Sequence, residues 1–177
     1  MGLGQTLLTI MALMLMGRTI LNVNTTTLDA GFTKDMAEYN ITATSLGTSL
    51  LEYAHGIAFD EATVDTFLTS SQSGSLTEAA SLRAESGETS STLFDDIDDY
   101  NNYEKIDTVT YSAIFKTRGK VEYLSVVGST LTTTTTRTWN KLLTVYITSD
   151  YIVDYSVEPP RPDTLKFQSV FSYWYFR

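Results

Sequence analysis

The sequence predicts an α+β fold in which a long N-terminal α-helix, apolar in its first half and amphipathic in its second, packs on a C-terminal antiparallel β-sheet. Three observations predict it. No proline occurs before Pro159, so nothing breaks a helix in the first half of the chain. Apolar residues then recur at helical spacing from Leu3 to about Ala58. The β-rich runs, bounded by turn residues, all follow residue 105. The expected organisation is an apolar helix over 1–27, its amphipathic continuation over 28–58, a polar connection over 59–104 and the sheet over 105–177.

The first element is "LGQTLLTIMALMLMGRTILNV", residues Leu3 to Val23. As a helix at ~1.5 Å per residue it is about 30 Å long, one hydrocarbon core of a bilayer. A cleaved secretory signal would carry a basic n-region and a small-residue cleavage site, and neither is present here. Arg18 is the only charged side chain before Asp29. It lies close enough to the polar end to snorkel to an interface. Alternatively it pairs with a carboxylate of a neighbouring copy, and then Arg18→Leu leaves membrane insertion intact and impairs assembly.

The helix does not stop there. Leu28, Phe32, Met36, Tyr39, Ala43, Leu46, Leu50, Tyr53 and Ile57 are spaced 4, 4, 3, 4, 3, 4, 3 and 4, a single amphipathic stripe. Leu28, Phe32, Met36, Tyr39, Leu46, Leu50, Tyr53 and Ile57 are therefore the expected helix-to-sheet core. Gly17, Gly31 and Gly47 either weaken the helix, each by about 1 kcal/mol relative to alanine, or permit close packing.

A Ser/Thr/Glu/Gly-rich stretch follows, read as a surface loop with one short helix near Leu76 to Ala84. "DTVTYSAIFKT" and "KVEYLSVVG" read as strands joined by a hairpin turn at Arg118-Gly119. "TTTTTRT" reads as an exposed strand or hairpin arm, and "WNKLLTVYITS" and "TLKFQSVFSYWYF" as two further strands on either side of the breaker "EPPRP". Four or five antiparallel strands would bury the helix stripe.

Composition narrows the functions. A net charge of −9, from 12 basic and 21 acidic residues, argues against nucleic acid as a partner. The absence of cysteine excludes disulfides and thiol catalysis. A single histidine, His55, excludes a multi-histidine metal site. Glu52, His55 and Asp60 are the nearest approach to an acid/base set, and a plain helix-surface pair explains them better. No phosphate-binding glycine loop or paired catalytic carboxylates occur, so no enzyme is expected. No cofactor is expected either, calcium excepted. "FDDIDDYNNYE" concentrates hard oxygen donors: Asp95, Asp96, Asp98 and Asp99 are the calcium candidates, with Asn101, Asn102 and Glu104 nearby. The same residues also suit backbone turns at the start of a sheet. Asn24 and Asn40 stand in glycosylation sequons, but on predicted helix. Thr132 to Thr136 suit O-glycosylation or an exposed strand equally.

"GQTLLTIMALMLMGRTILN", "ATSLGTSLLEYAHGIAFDE" and "LFDDIDDYNNY", in that order before a sheet, resemble the type IV pilin and pseudopilin superfamily. The resemblance covers the chain in outline, and at motif level the first 60 residues and the Asp-rich segment. It implies a structural subunit of an extracellular, pilus-like helical filament. Such a subunit is a homopolymer with copies of itself, held in the cytoplasmic membrane before assembly and handled by pilus-type assembly machinery. The implied assembly interface is Met1, Gln5, Leu7, Leu8, Ile10, Met11, Leu13, Met14, Leu15, Arg18, Ile20 and Leu21. Two departures stand out. Gln5 occupies the position where the family usually has a glutamate, so the charge that would neutralise a neighbour's N-terminus is missing. No basic leader ending in glycine precedes Met1: either the chain is already mature or it is processed differently, and both leave the family's peptidase and N-methylation steps open. The rival reading is a membrane-anchored, non-polymerising β-domain that binds a ligand or partner outside the cell. Within the superfamily, a minor pilin or secretion pseudopilin is the alternative.

Overall fold

A computed structural model describes residues 2–109 and 113–175 of the 177-residue chain. Its fold is α+β, with one long N-terminal helix and a five-stranded antiparallel sheet. Helix α1 runs Leu3–Ala54; the strands are β1 (Glu104–Val109), β2 (Ala113–Val127), β3 (Thr130–Thr134), β4 (Asn140–Asp154) and β5 (Arg161–Ser172). The chain divides into two compact units, Met1–Asn40 and Ile41–Arg177.

The first unit is helix alone. Every residue from 2 to 35 is exposed. Its threonines hide their polarity within the helix: the hydroxyls of Thr6, Thr9, Thr19, Thr25, Thr26, Thr27 and Thr33 donate to carbonyls three or four residues earlier, at 2.8–3.2 Å. Leu28 and Phe32, expected in the helix-to-sheet core, are not buried. Both lie in this unit, 65% and 52% exposed.

In the second unit, helix residues 41–54 lie on the sheet. The residues buried in α1 are Ala43, Gly47 and Ala54, a stripe of small side chains at spacings of 4 and 7. The stripe expected through Leu46, Leu50 and Tyr53 is thus turned by about one residue. Leu46 and Leu50 flank the contact half-buried, and Tyr53 is 50% exposed. The reason is the closeness of the approach: a Cβ on Gly47 would sit 2.5 Å from the Phe167 ring of β5. Leu46, Leu50 and Tyr53 instead line a cleft of about 300 Å³ with Tyr100 and Tyr103. Met36 and Tyr39 are half-buried. The helix ends at Ala54 rather than Ala58 because the next backbone groups bond elsewhere. Ala58 donates to the Asp95 carbonyl (2.9 Å) and accepts from the Ile97 amide (3.1 Å), which leaves Ile57 half-buried beyond the helix.

The strand order is β1-β2-β4-β5, with β3 paired to the far end of β2. Strict alternation aligns the inner face in rungs: Thr117, Ile147 and Leu165; then Gly119, Val145 and Phe167; then Val121, Leu143 and Ser169; then Tyr123, Lys141 and Phe171. Lys116, Arg118, Lys120 and Glu122 point the other way. Arg118-Gly119 is therefore mid-strand, not a hairpin turn. β1 and β2 pair antiparallel from Glu104 opposite Arg118 to Val109 opposite Ala113, and residues 110–112 lie outside the described residues. A two-residue loop with Gly128 at φ 64° joins β2 to β3. Gly119 is required by crowding, because a side chain there would meet the Tyr100 carbonyl oxygen. The expected helix near Leu76 to Ala84 is absent; short 3₁₀ turns at Glu61–Thr63, Ser70–Ser75 and Asp98–Tyr100 punctuate the connection instead. That connection is not loose. It buries Phe59, Leu68, Leu76, Leu82, Phe94, Ile97 and Tyr100. Met1, part of the expected assembly interface, lies outside the described residues.

Candidate functional site

Two features stand out: the bare apolar surface of α1 and an acidic centre where the connection meets the sheet. Over the first, Gln5, Leu7, Leu8, Ile10, Met11, Leu13, Met14, Leu15, Arg18, Ile20 and Leu21 are all exposed on one continuous helix. The segment has a mean hydropathy of 1.6 over its best 18 residues, none of them buried. By length and composition this one helix can cross a membrane.

The acidic centre is built around Lys141. Alternation in β4 places Lys141 on the inner face with Leu143, Val145 and Ile147, so its ammonium is carried into the core. There it donates to the Phe59 carbonyl (2.8 Å), to Asp60 Oδ2 (2.7 Å) and to Asp98 Oδ1. It also lies 4.6 Å from the Phe59 ring centroid and 5.2 Å from that of Tyr123. Lys141, Asp60 and Asp98 are all fully buried. Asp60 is saturated: the Ala62 and Thr77 amides donate to it at 3.1 Å, the Thr77 hydroxyl at 3.2 Å, and the Tyr123 hydroxyl lies 3.2 Å away. One lysine and two carboxylates thus tie the start of the connection, the Asp-rich segment and β4 together.

The Asp-rich segment splits in two directions. Asp98 goes inward to Lys141. Asp96 Oδ1 accepts from the Asp98 and Asp99 amides (2.6 and 3.3 Å), while Asp99 Oδ2 accepts from the Asp95 and Asp96 amides (3.1 and 3.3 Å). One oxygen on each of Asp96, Asp98 and Asp99 is buried without a hydrogen-bond partner. Burial, with the Asp98 charge beside it, pushes the Asp96 carboxyl up to about 9. Burial also raises Asp98, against the pull of Lys141. Asp99 faces outward to Glu85 and Glu88: one carboxylate oxygen from each of the three lies within 4.8 Å of the others. Burial and a contact with Glu88 raise Asp99 to about 6, and burial with Glu88 and Asp99 nearby raises Glu85 to about 8. Asp95, exposed, is raised by burial and by the Glu88 charge.

The asparagines act on the backbone. Asn101 accepts from the Val121 amide (3.0 Å) and donates to the Leu82 carbonyl (2.8 Å). Asn102, at φ 63°, donates its amide to the Gly119 carbonyl (3.1 Å), so the segment bonds to β2 just before β1 begins. Glu104 pairs with Arg118 at 2.8 Å.

Glu52, His55 and Asp60 are not brought together. His55 lies 3.1 Å from the Ser169 hydroxyl and stacks 4.4 Å from the Phe171 ring, whereas Asp60 is on Lys141 and Glu52 is exposed. Sequence reasoning missed Lys141, Tyr123, Glu85 and Glu88. Lys141 had a signal, a charge in register with apolar neighbours; the two glutamates had none, since only folding brings residues 85–88 against Asp99. A concavity of about 780 Å³ includes Glu104, Arg118, Lys120 and Glu122 in its lining. These charges pair with one another, Arg118 with Glu104 and Lys120 with Glu122. Comparison with known proteins gives no match: no family model, no curated protein and no solved structure is detectably similar to this chain.

Proposed function

We propose that the chain is the structural subunit of a pilus-like extracellular filament that polymerises through its N-terminal helix and waits in the cytoplasmic membrane before assembly. One observation carries this reading: an apolar helix surface from Leu3 to Val23, exposed on every side. Such a surface needs either lipid or many protein neighbours. Burial in a bundle of copies returns roughly 25 cal/mol per Å² of apolar surface, repeated over every neighbour. The back-bonded threonines suit this exchange, because their hydroxyls enter either environment already satisfied. The net charge of −9 keeps the β-domain solvated on the outside of such a polymer.

The second reading is a membrane-anchored β-domain that does not polymerise, favoured by a helix long and apolar enough to cross a membrane. Because the chain has no cysteine, paired substitutions Leu7→Cys and Leu21→Cys report neighbours without background. A filament gives an oxidation-dependent ladder of oligomers from cell-surface material, with fibres in electron micrographs of sheared cells. Recovery only from detergent-extracted membranes, cross-linked no further than dimer, would overturn it in favour of the anchor.

A further inference from the structure

We propose that Glu85, Glu88 and Asp99 form a calcium site that clamps the 85–88 turn onto the Asp-rich segment. The ligand oxygens of the three lie within 4.8 Å of one another. Calcium binds oxygen at about 2.3–2.6 Å, so ligands on opposite sides of the ion stand about 5 Å apart at most; magnesium, at about 2.0–2.1 Å, needs a tighter cage. The second observation is Asp99 itself. The residue is buried, with a relative exposure of 1%, and Oδ1 has no hydrogen-bond partner. The other oxygen is fixed by the Asp95 and Asp96 amides, so the free one is held in place. A buried carboxylate oxygen with no partner is costly. Here it belongs to a carboxylate that meets two others.

The turn is built for the same purpose. Gly87 at φ 123° folds residues 85–88 back, and Glu88 Oε2 accepts from the Glu85 amide at 2.9 Å. The contrast with the interior decides the kind of ligand. Asp60 and Asp98 share the Lys141 ammonium, whereas no salt bridge among the described residues reaches Glu85, Glu88 or Asp99. The charged neighbours acting on Glu85 are themselves acidic, Glu88, Asp99 and Glu61, and Glu61 and Asp95 crowd Glu88 as well. A divalent cation neutralises what no lysine or arginine does. Asp96 and Asp98 have no part in it, since they serve the backbone and Lys141.

The site lies wholly in the unit Ile41–Arg177 and does not rest on the filament reading. The test is calorimetric titration of the full chain in detergent, stripped with chelator, using calcium chloride and then magnesium chloride. Saturable calcium uptake is expected at about 10⁻⁴–10⁻³ M, with magnesium at least about tenfold weaker and a calcium-dependent rise in Tm. The double variant Glu85→Gln/Glu88→Gln keeps its fold, because neither side chain is in the core, and loses calcium affinity at least about tenfold. In chelator it is at least as stable as the parent, since repulsion has been removed. Glu52→Gln, an exposed glutamate of α1, leaves uptake unchanged. No heat and no Tm shift up to about 5 mM calcium overturns the site, as does uptake by the double variant equal to that of the parent.

Discussion

Lys141 is the residue on which most of the interior depends. Its ammonium compensates Asp60 and Asp98, all three fully buried. Lys141→Met preserves stem volume and strands two carboxylates, so a loss of about 3–5 kcal/mol is expected in urea unfolding. Asp98→Asn added to it recovers part of that loss, because one stranded charge is gone. Asp96 behaves in the opposite sense. Burial and the Asp98 charge raise it to about 9, so the folded chain binds this proton more tightly than the unfolded one. From the ordinary aspartate value near 4 up to about 9, the native state therefore holds the extra proton and stability falls as pH rises. Asp96→Asn puts an amide where the protonated carboxyl stands and keeps the acceptor for the Asp98 and Asp99 amides. Thermal melts in chelator are expected to lose less Tm between about pH 5 and about pH 8 in this variant than in the parent. Little of this was legible in the sequence. "FDDIDDY" announced a cluster of oxygen donors, but adjacent aspartates diverge according to local turns, and no spacing rule says which goes inward.

At the scale of elements, alternation and helical spacing were sufficient to place α1, β4 and β5. They failed where another segment intervened. Arg118-Gly119 reads as a turn because glycine between charged residues usually is one; here the glycine answers to the Tyr100 carbonyl passing over β2. The helix stripe was misphased for a related reason, because apolar bulk marks a core face only when the partner leaves room for it. Ala43, Gly47 and Ala54 make the contact precisely by lacking bulk. These two glycines give a graded prediction. Gly119→Ala drives a methyl into the Tyr100 carbonyl, which accepts from the Tyr103 amide, while Gly119 itself is held by backbone bonds to Asn102 and Tyr103, and nothing there can yield. Gly47→Ala meets only the edge of the Phe167 ring, which can rotate away. Gly47→Ala is expected to cost about 1–3 kcal/mol by overpacking, and Gly119→Ala more, measured by chemical denaturation. Phe167→Leu should recover much of the Gly47→Ala loss and none of the Gly119→Ala loss.

For the whole molecule, the division of labour is between a unit with a core and a unit without one. Every buried apolar residue among those described lies at or after Ala43, while each residue from 2 to 35 is exposed. The sequence announced this through the change from all-round apolar character to a single stripe, though it set the change near residue 27 where the buried face begins at Ala43. An isolated helix is marginal in water, so a helix whose residues 2–35 are all exposed must draw its persistence from its surroundings. A chain beginning at Ile41 should therefore fold, with the near-ultraviolet circular dichroism and the Tm of the full chain in detergent, and should remain monomeric in sedimentation. If residues 2–40 instead contribute to the core, the truncated chain melts lower or collapses without fixed aromatic signals. The same truncation separates the acidic centre from assembly. Lys141→Met and Asp96→Asn should show the same stability changes in the short chain as in the long one, while any polymer or membrane association is lost with the first 40 residues.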